Sequence, residues 1–432
     1  MHDSLGNRAL RGLYSLVIRL ALPISLYYLI WRGLRQREYL DRWSERFALY
    51  RGGALEGCLW IHAVSVGEVN AAVPLLEALR ERYPQQRMLV TTTTPTGSAR
   101  VRALWGDSVA HVYLPYDLPG AVRNFLDQFR PRLAVIMETE IWPNLFAALA
   151  RRKVALLIVN ARVSARSVRG YRPIGPLVRR TLATVDCIAA QSAKDAARYR
   201  QLGARDASVH VTGNLKFDLP LAEGLPAQAL GWREHWGPLR PVWIAASTHM
   251  EEEEQVLQAH RLLLAEFPEA LLLWAPRHPE RFTAVANACA RAGWTVARRR
   301  EMALPGPAQQ ILVIDTLGEL MAFYAASDAA FVGGSLQEIG GHNVLEPAAL
   351  GVPALVGPHT FNFQDITELL VEVGAVQRVH DSESLAKKVA QLWRHPGERE
   401  RRGNAGRERI AGERGALAQT LELIETCLRA RP

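Results

Sequence analysis

Short apolar runs alternate with helical patterns through most of the 432-residue chain. Such runs predict buried strands, and the amphipathic stretches between them predict helices. Strands that alternate with helices imply a parallel sheet covered by helices on both faces. In the first half, the predicted strands are residues 59–63, 88–92, 109–114, 133–137, 154–159, 187–190 and 209–211.

The same pattern restarts after residues 217–240, which are rich in proline and glycine and predict a linker. The chain therefore predicts two α/β units in tandem, 47–216 and 241–432, the second ending in closing helices. Ligands of such units bind beyond the carboxyl ends of the strands, and a pair of units offers a cleft for donor and acceptor. In the second half, the predicted strands are residues 242–246, 270–274, 295–297, 311–314, 329–332, 354–356 and 375–379.

Residues 12–31 form a nearly continuous apolar segment, interrupted by Arg19 and Pro23. It is long enough to cross a bilayer as a helix, although Arg19 is unfavourable in the hydrocarbon core. The sequence that follows is rich in arginine, which favours a cytoplasmic location for the rest of the chain. We interpret residues 1–46 as an uncleaved membrane anchor with a basic flank, either spanning the bilayer or lying in its interface. A buried helix of a soluble domain is the alternative.

The formal net charge of +9 favours anionic partners. No zinc finger is present, nor any alternation of basic and stacking aromatic residues, so we predict an anionic membrane surface and no nucleic acid as partner. The four cysteines include no C-x-x-C pair, which argues against a disulfide scaffold or a zinc site. The P-loop, dinucleotide and H-E-x-x-H motifs are absent from the sequence, so kinase, simple dehydrogenase and zinc-hydrolase functions lack support.

A glycine pair, Gly340 and Gly341, lies between two predicted strands. If this pair opens a helix, its N–H groups and the helix dipole would face a ligand phosphate. Glu346, about one turn further on, could accept hydrogen bonds from a ribose diol. Alternatively, the glycines only make a tight turn and Glu346 faces solvent.

Ser65 and Glu68 stand at the start of a predicted helix with the S-x-x-E spacing of a capping box. In that interpretation, Glu68 bonds back to the Ser65 backbone. In the functional interpretation, Glu68 is a general base, and the helix N-terminus should keep its carboxylate ionised at neutral pH.

Three further segments follow predicted strands. Glu138 and Glu140 could cap a helix, or could stabilise developing positive charge. Lys216 could be solvated in the linker, or could stabilise a departing phosphate. Arg277 suits phosphate binding, whereas the acidic run 251–254 resembles a solvated helix start that needs no function.

Taken together, these motifs resemble those of the bacterial 3-deoxy-D-manno-octulosonic acid (Kdo) transferases over nearly the whole chain. The matching segments are HAVSVGE (62–68), METEIWPN (137–144), NARVSARS (160–167), TGNLKFD (212–218), ASTH (246–249), APRHPE (275–280) and GGHNVLEP (340–347). So many matches in order are far more specific than any single one. The resemblance implies the GT-B glycosyltransferase fold, with two Rossmann-like domains facing a cleft.

The resemblance further implies transfer of Kdo from CMP-Kdo to the lipid A precursor at the cytoplasmic face of the inner membrane, with no cofactor or metal. Glu68 would be the base, and Glu138 and Lys216 would support the transition state. Ser65, Gly67, Arg162 and Arg166 are candidate acceptor-binding residues. The candidate donor-binding residues are Pro276, Arg277, Leu317, Gly318, Glu319, Gly340, Gly341, Asn343, Val344, Leu345 and Glu346.

Two alternatives remain at this point. The chain could be another GT-B transferase that uses a UDP- or GDP-sugar, which nucleotide-dependent shifts in melting temperature would reveal. It could also be a non-catalytic, membrane-anchored protein that binds a nucleotide sugar. A transfer assay with labelled CMP-Kdo separates that second possibility from an enzyme.

Overall fold

The structure is a computed structural model that describes residues 5–50, 53–219, 221–301 and 304–431. Residues 1–4 of the predicted anchor and Pro220 of the predicted linker lie outside the described residues. The chain divides into two compact units, Met1–Leu219 with Arg414–Pro432, and Pro220–Glu413.

Each unit contains a seven-stranded sheet in which every described pair of neighbouring strands is parallel. The strands are β1 (Leu59–His62), β2 (Met88–Thr92), β3 (Ala110–Tyr113), β4 (Leu133–Met137), β5 (Ala155–Ala161), β6 (Cys187–Ala190), β7 (Val209–Val211), β8 (Val242–Thr248), β9 (Leu271–Pro276), β10 (Val296–Arg298), β11 (Ile311–Val313), β12 (Ala329–Val332), β13 (Ala354–Val356) and β14 (Val376–Arg378). The predicted strands are thus confirmed, with small differences at their ends.

Helices cover both faces of each sheet, as parallel sheets require. They are α1 (Leu5–Arg35), α2 (Val66–Arg82), α3 (Pro95–Trp105), α4 (Pro119–Phe129), α5 (Pro143–Arg151), α6 (Ala165–Tyr171), α7 (Gly175–Leu182), α8 (Ala193–Gln201), α9 (Leu225–Trp236), α10 (Glu253–Leu264), α11 (Phe282–Arg291), α12 (Leu320–Ala325), α13 (Leu345–Ala349), α14 (Gln364–Glu372), α15 (Ser382–Arg394), α16 (Pro396–Glu413) and α17 (Ala416–Arg429).

The strand order is β3-β2-β1-β4-β5-β6-β7 in the first unit and β10-β11-β9-β8-β12-β13-β14 in the second. Each sheet has two clusters of buried apolar residues, one on each of its faces. This doubly wound arrangement is the GT-B architecture of two Rossmann-like domains.

The predicted linker 217–240 contains a helix, α9, that belongs to the core of the second unit. Ala229, Trp232 and Trp236 are buried, and α9 packs against α12. These three residues follow helical spacing, but the surrounding prolines and glycines concealed that pattern. The linker boundary predicted from composition therefore differs from the structure.

The closing helix α17 also differs from its predicted place, because it packs on the first unit and not on the second. Ala416, Thr420 and Ile424 are buried at a spacing of four residues, and two of them join the apolar cluster on one face of the first sheet. The carboxylate of Asp218 accepts hydrogen bonds from the backbone N–H groups of Gly415 (2.8 Å) and Leu417 (2.6 Å). Composition alone does not reveal such a return of the chain.

Candidate functional site

In the first sheet the strand order reverses between β1 and β4. At such a switch point the loops that leave the two strands diverge and open a crevice at the carboxyl edge. The segment after β1 carries Glu68 in the first turn of α2, and the segment after β4 carries Glu138 and Glu140. The three carboxylates predicted from the sequence therefore come together at one edge of one sheet.

Glu68 is half-buried and is held by two hydrogen bonds. Its Oε2 accepts from the Val64 N–H at 2.8 Å, and its Oε1 accepts from the Ser65 hydroxyl at 3.4 Å. Ser65 makes no side-chain bond to the helix backbone, so the predicted capping box does not form. An ionised carboxylate has about four acceptor positions, so Glu68 keeps capacity for a substrate hydroxyl.

Burial raises the pKa of Glu68 to about 7; the Val64 N–H opposes this shift, and the neighbouring carboxylates of Glu138 and Glu140 add to it. The sequence predicted an ionised carboxylate because α2 begins here. Removal from water outweighs that favourable helix terminus. Near neutral pH, Glu68 is therefore divided between its two protonation states, which suits a group that must take up a proton.

Glu138 has a left-handed backbone, with φ of 56°. For a residue other than glycine this conformation costs about 1–3 kcal/mol and persists only where the surroundings enforce it. Its N–H donates to the Val159 carbonyl at 3.0 Å, and its carbonyl accepts from the Tyr199 hydroxyl at 2.8 Å. Burial also raises the pKa of Glu140. Because the Glu140 charge acts on Glu68, Glu140 is a third carboxyl group of the site.

Lys216 lies in a 3-10 turn (Leu215–Phe217) that begins four residues after the end of β7 at Val211. Asn214 Oδ1 accepts from the Lys216 N–H at 3.0 Å, and Asn160 Oδ1 accepts from the Leu215 N–H at 3.0 Å. Asn160 is buried and has φ of 52°. The sequence singled out the segment after the predicted strand 154–159, but not this supporting role of Asn160, which lies within β5 and makes a contact across 55 residues of chain.

The candidate acceptor residues lie at the start of α2 and between β5 and the first turn of α6, in the same unit. Gly67 is exposed beside Glu68, and Arg162 and Arg166 are exposed after β5. The Thr139 hydroxyl donates to the Arg162 carbonyl, which ties the Glu138–Glu140 loop to the loop after β5. These residues thus lie at the carboxyl edge of the sheet, and their role in acceptor binding stays a prediction.

In the second sheet the order reverses between β8 and β12. Glu252, which follows β8, is fully buried, and its carboxylate accepts four backbone N–H groups. Oε2 accepts from His249 (3.0 Å) and Gly334 (2.7 Å), and Oε1 from Ser335 and Leu336 (both 3.0 Å). The prediction that run 251–254 is merely a solvated helix start is wrong for Glu252. The helical spacing of Glu252, Val256, His260 and Leu263, all buried, is the signal that could have identified it.

A histidine pair lies beside this loop. The rings of His249 and His342 stack at an interplanar angle of 3°, with their Nε2 atoms 2.8 Å apart. Burial, assisted by the Arg277 charge, lowers the pKa of His342 to about 3. Both rings therefore share one hydrogen bond as neutral imidazoles, and the exposed Arg277 side chain provides positive charge next to them.

Gly340 and Gly341 do not open a helix, because α13 begins only at Leu345 and is five residues long. Both glycines instead have left-handed backbones, with φ of 108° and 75°. A Cβ atom on Gly340 would collide with Asn362 and Phe361. The helix-dipole interpretation of this motif is therefore wrong, although the motif still forms a tight, buried loop.

Glu346 is oriented by its neighbour Asn343, whose Nδ2 donates to Glu346 Oε1 at 3.0 Å. Burial raises the pKa of Glu346, while Asn343 and the Arg277 charge lower it. Glu346 and Arg277 are thus within electrostatic reach of each other, as a shared ligand would require. Val344 and Leu345 are buried, and Pro276 is buried at the end of β9.

The segment Leu317–Glu319 leads into α12, which packs against α13. Leu317 and Gly318 are exposed, whereas the Glu319 carboxylate forms an ion pair with Arg299 at 2.6 Å. The Thr316 hydroxyl donates to the same carboxylate at 2.5 Å. Glu319 is therefore fixed by protein partners, so its backbone and the adjoining Gly318 are better placed than its side chain to meet a ligand.

Within the described ranges, no group of three or more His, Cys, Asp or Glu side chains is arranged to hold a metal ion. Neither the three carboxyl groups of the first unit nor the histidines of the second form such a group.

Comparison with known protein families supports this reading of both units. Residues 41–219 match the family model "3-Deoxy-D-manno-octulosonic-acid transferase (kdotransferase)", and residues 242–409 match "Glycosyl transferases group 1". A solved structure, a putative UDP-N-acetylglucosamine 2-epimerase from Listeria monocytogenes, is 16% identical with a TM-score of 0.52. That likeness covers 87% of this chain and 98% of the other, and it concerns the fold alone.

Two relatives match almost end to end. The 3-deoxy-D-manno-octulosonic acid transferase of Haemophilus influenzae is 42% identical over 422 residues, which is 97% of this chain and 99% of the relative. The transferase of the same name from Bordetella pertussis is 40% identical over 438 residues, again 97% and 99%. At this identity and coverage, the chain belongs to the 3-deoxy-D-manno-octulosonic acid transferases, a family of glycosyltransferases.

Proposed function

We propose that the chain transfers Kdo from CMP-Kdo to a hydroxyl of the lipid A precursor, without a metal ion and with Glu68 as the general base. The observation that carries this proposal is the half-buried Glu68 carboxylate at the switch point of the first sheet. Its pKa of about 7 allows it to accept a proton at neutral pH and to release it afterwards.

In the proposed step, the oxygen of the acceptor hydroxyl attacks the anomeric carbon of Kdo while its proton passes to a Glu68 carboxylate oxygen. The bond between the anomeric carbon and the phosphate oxygen breaks, and CMP leaves with the electron pair. The leaving group brings its own phosphate, so the protein needs an aimed base and fixed positive charge.

The first unit provides charged groups for both partners of the breaking bond, the anomeric carbon and the departing phosphate. As CMP leaves, positive charge develops at the anomeric carbon, and the nearby Glu138 carboxylate stabilises it. Lys216 stabilises the negative charge of the departing phosphate. The left-handed backbone of Glu138 and the asparagine contacts to the Leu215 and Lys216 N–H groups support these roles, because they fix the backbone from which both side chains extend before the substrate binds.

The donor nucleotide is assigned to the second unit. Arg277 binds the phosphate, Glu346 accepts hydrogen bonds from the ribose hydroxyls, and the backbone at Gly318, Gly340 and Gly341 approaches the ligand closely. The electrostatic link between Arg277 and Glu346 supports this assignment. Glu252 supports it indirectly, since it fixes the loop 333–336 beside the histidine pair.

We expect Glu346→Ala to weaken CMP binding at least tenfold, because it removes the acceptor for the ribose hydroxyls and the partner of Asn343. Calorimetric titration with CMP measures this. The matched control is Glu372→Ala, an exposed carboxylate of the same unit, which should bind CMP like the wild type. Equal affinity in the Glu346 variant would remove this residue from the donor site.

The acceptor is a phosphorylated lipid, so the proposal places the enzyme at the cytoplasmic face of the inner membrane, against its anionic surface. One helix of the described chain, Ala9–Arg35, is long and apolar enough to cross a membrane by length and composition. The exposed Arg162 and Arg166 supply positive charge for the acceptor phosphates.

Mass spectrometry of the product tests the proposal. Purified enzyme, CMP-Kdo and lipid A precursor should yield a lipid heavier by whole Kdo residues, in the presence of a metal chelator as well as in its absence. The count of added residues follows from the same spectrum. A product formed only from a UDP- or GDP-sugar, or only without the chelator, would contradict the proposed donor or the proposed metal independence respectively.

A further inference from the structure

Helix α1 is attached to the first unit near its beginning. The Tyr14 hydroxyl donates to the Asp117 carboxylate. Asn144 Nδ2 donates to Ser15 Oγ at 3.0 Å, and the Asp117 carboxylate accepts the N–H groups of Asn144 (2.9 Å) and Leu145 (2.8 Å). Ser15, Asp117 and Asn144 are all buried. Through the Tyr14–Asp117 and Asn144–Ser15 contacts, α1 is tied by buried side chains to the N-terminus of α5.

The chain returns to the same place after α1 ends. The Tyr116 N–H donates to the Arg46 carbonyl at 2.8 Å, and the Tyr113 N–H donates to Glu45 Oε2 at 2.8 Å. The buried Arg46 side chain donates to the Thr93 carbonyl at 2.9 Å. Tyr116 holds the returning chain and Asp117 holds α1, so the two attachments involve consecutive residues.

This arrangement excludes a single crossing of the bilayer between the two attachments. A helix from Tyr14 to Arg35 is about 30 Å long, which is the thickness of the hydrocarbon core. If it crossed, residues 36–41 would have to cross back, with Arg37, Glu38 and Asp41 and with unpaired backbone groups in hydrocarbon. Both attachments belong to one unit, so both ends of α1 lie on the same side.

The two faces of α1 differ in exposure. Half-buried or buried positions recur at helical spacing, at residues 14–15, 18, 21–22, 25–26, 29 and 33, whereas the apolar residues between them are exposed. The exposed face includes Leu20, Ile24 and Tyr27, each 70–72% exposed. Aromatic side chains concentrate near its end, at Tyr27, Tyr28 and Trp31, as is typical of membrane interfaces.

Positive charge accompanies this apolar face. An open groove of about 660 Å³ runs along the first half of α1, lined by Arg11 and Arg19 of α1, Arg123 of α4, and Arg151 and Arg152 at the end of α5. Asp127 is its acidic member and pairs with Arg152 at 2.8 Å. Arginine side chains in such a groove match the phosphates of an anionic lipid surface.

We propose that α1 is an in-plane anchor: it lies along the surface of an anionic lipid leaflet, with its exposed face among the acyl chains and the arginine groove against the headgroups, and it does not cross the bilayer. Sequence length and composition left the spanning and in-plane arrangements open, and the two attachments decide between them. The inference concerns attachment only, so it stands or falls independently of the chemistry at Glu68.

Cysteine labelling in membranes tests the topology. Gly12→Cys and Gln36→Cys are placed one at a time in a Cys427→Ser background, since the other three cysteines are buried and both chosen positions are exposed. A Cβ at Gly12 meets no atom within 4 Å. We expect an impermeant maleimide to label both positions in inside-out vesicles and neither in intact spheroplasts. Leu239→Cys, 93% exposed in the second unit, reports the side of the globular units. Labelling of position 12 or 36 from the outside would overturn the proposal.

Flotation with lipid vesicles tests whether the exposed apolar face of α1 binds an anionic leaflet. The double variant Leu20→Asp, Ile24→Asp should bind vesicles of phosphatidylglycerol and phosphatidylethanolamine at least tenfold more weakly than the wild type, whereas Leu239→Asp should bind normally. Wild-type binding should also weaken in vesicles of phosphatidylcholine alone. Unchanged binding of the double variant, or equal binding to both lipid mixtures, would overturn the assignment of this face to an anionic leaflet.

Discussion

We expect Glu68→Gln to lower kcat by about 10²–10⁴ while CMP binds as in the wild type, because the variant loses the general base but keeps an acceptor for the Val64 N–H. The residues proposed to bind the donor lie in the other unit and are unchanged. Steady-state transfer with CMP-Kdo and lipid A precursor measures kcat, and calorimetric titration measures CMP affinity.

A glutamine cannot ionise, so burial of position 68 no longer opposes a charge. The carboxylate of the wild type has a raised pKa, so its ionisation costs stability as pH rises through about 7, and the variant should be at least as stable at pH 8. Low activity together with lower stability would indicate a structural defect instead. Glu77→Gln, on the same helix beside Arg80, is the control and should turn over normally.

Glu252→Gln should lower the free energy of unfolding by about 2–4 kcal/mol, because a buried, charged acceptor of four N–H groups is replaced by an amide. The amide offers one oxygen, and its NH₂ group faces N–H groups that need an acceptor. Urea denaturation followed by tryptophan fluorescence measures the change.

Glu254→Gln is the matched control for Glu252, since Glu254 is exposed on the same helical segment, and its effect should stay within about 0.5 kcal/mol. A loss of stability in both variants alike would show that the carboxylate run acts through general charge. A loss in neither would show that the loop 333–336 does not depend on Glu252.

Apolar patterning predicted both sheets because parallel strands are buried on both faces and leave continuous hydrophobic runs, such as Leu133–Met137. Parallel topology then placed the residues after β1 and β4 at one edge, so Glu68 and Glu138 could be found from the sequence. The roles assigned to them and to the donor residues came from family resemblance, and these assignments remain predictions.

Other features depend on contacts between distant parts of the chain and have no local signature. The position of α17 follows from the bond between Asp218 and Gly415, which are separated by 197 residues. The raised pKa of Glu68 follows from desolvation in the folded unit, which outweighs the local helix terminus. Likewise, the attachment of α1 requires Asp117, which follows β3 and carries no sequence motif.

The pH dependence of kcat/KM, measured side by side for the wild type and Glu68→Gln, tests the proposed base most directly. With Glu68 as the base, we predict that wild-type kcat/KM rises about tenfold per pH unit below 7 and levels off above it. The residual activity of the variant should show no such rise. The same acid limb in the variant would contradict the assignment of Glu68 as the group that takes the acceptor proton.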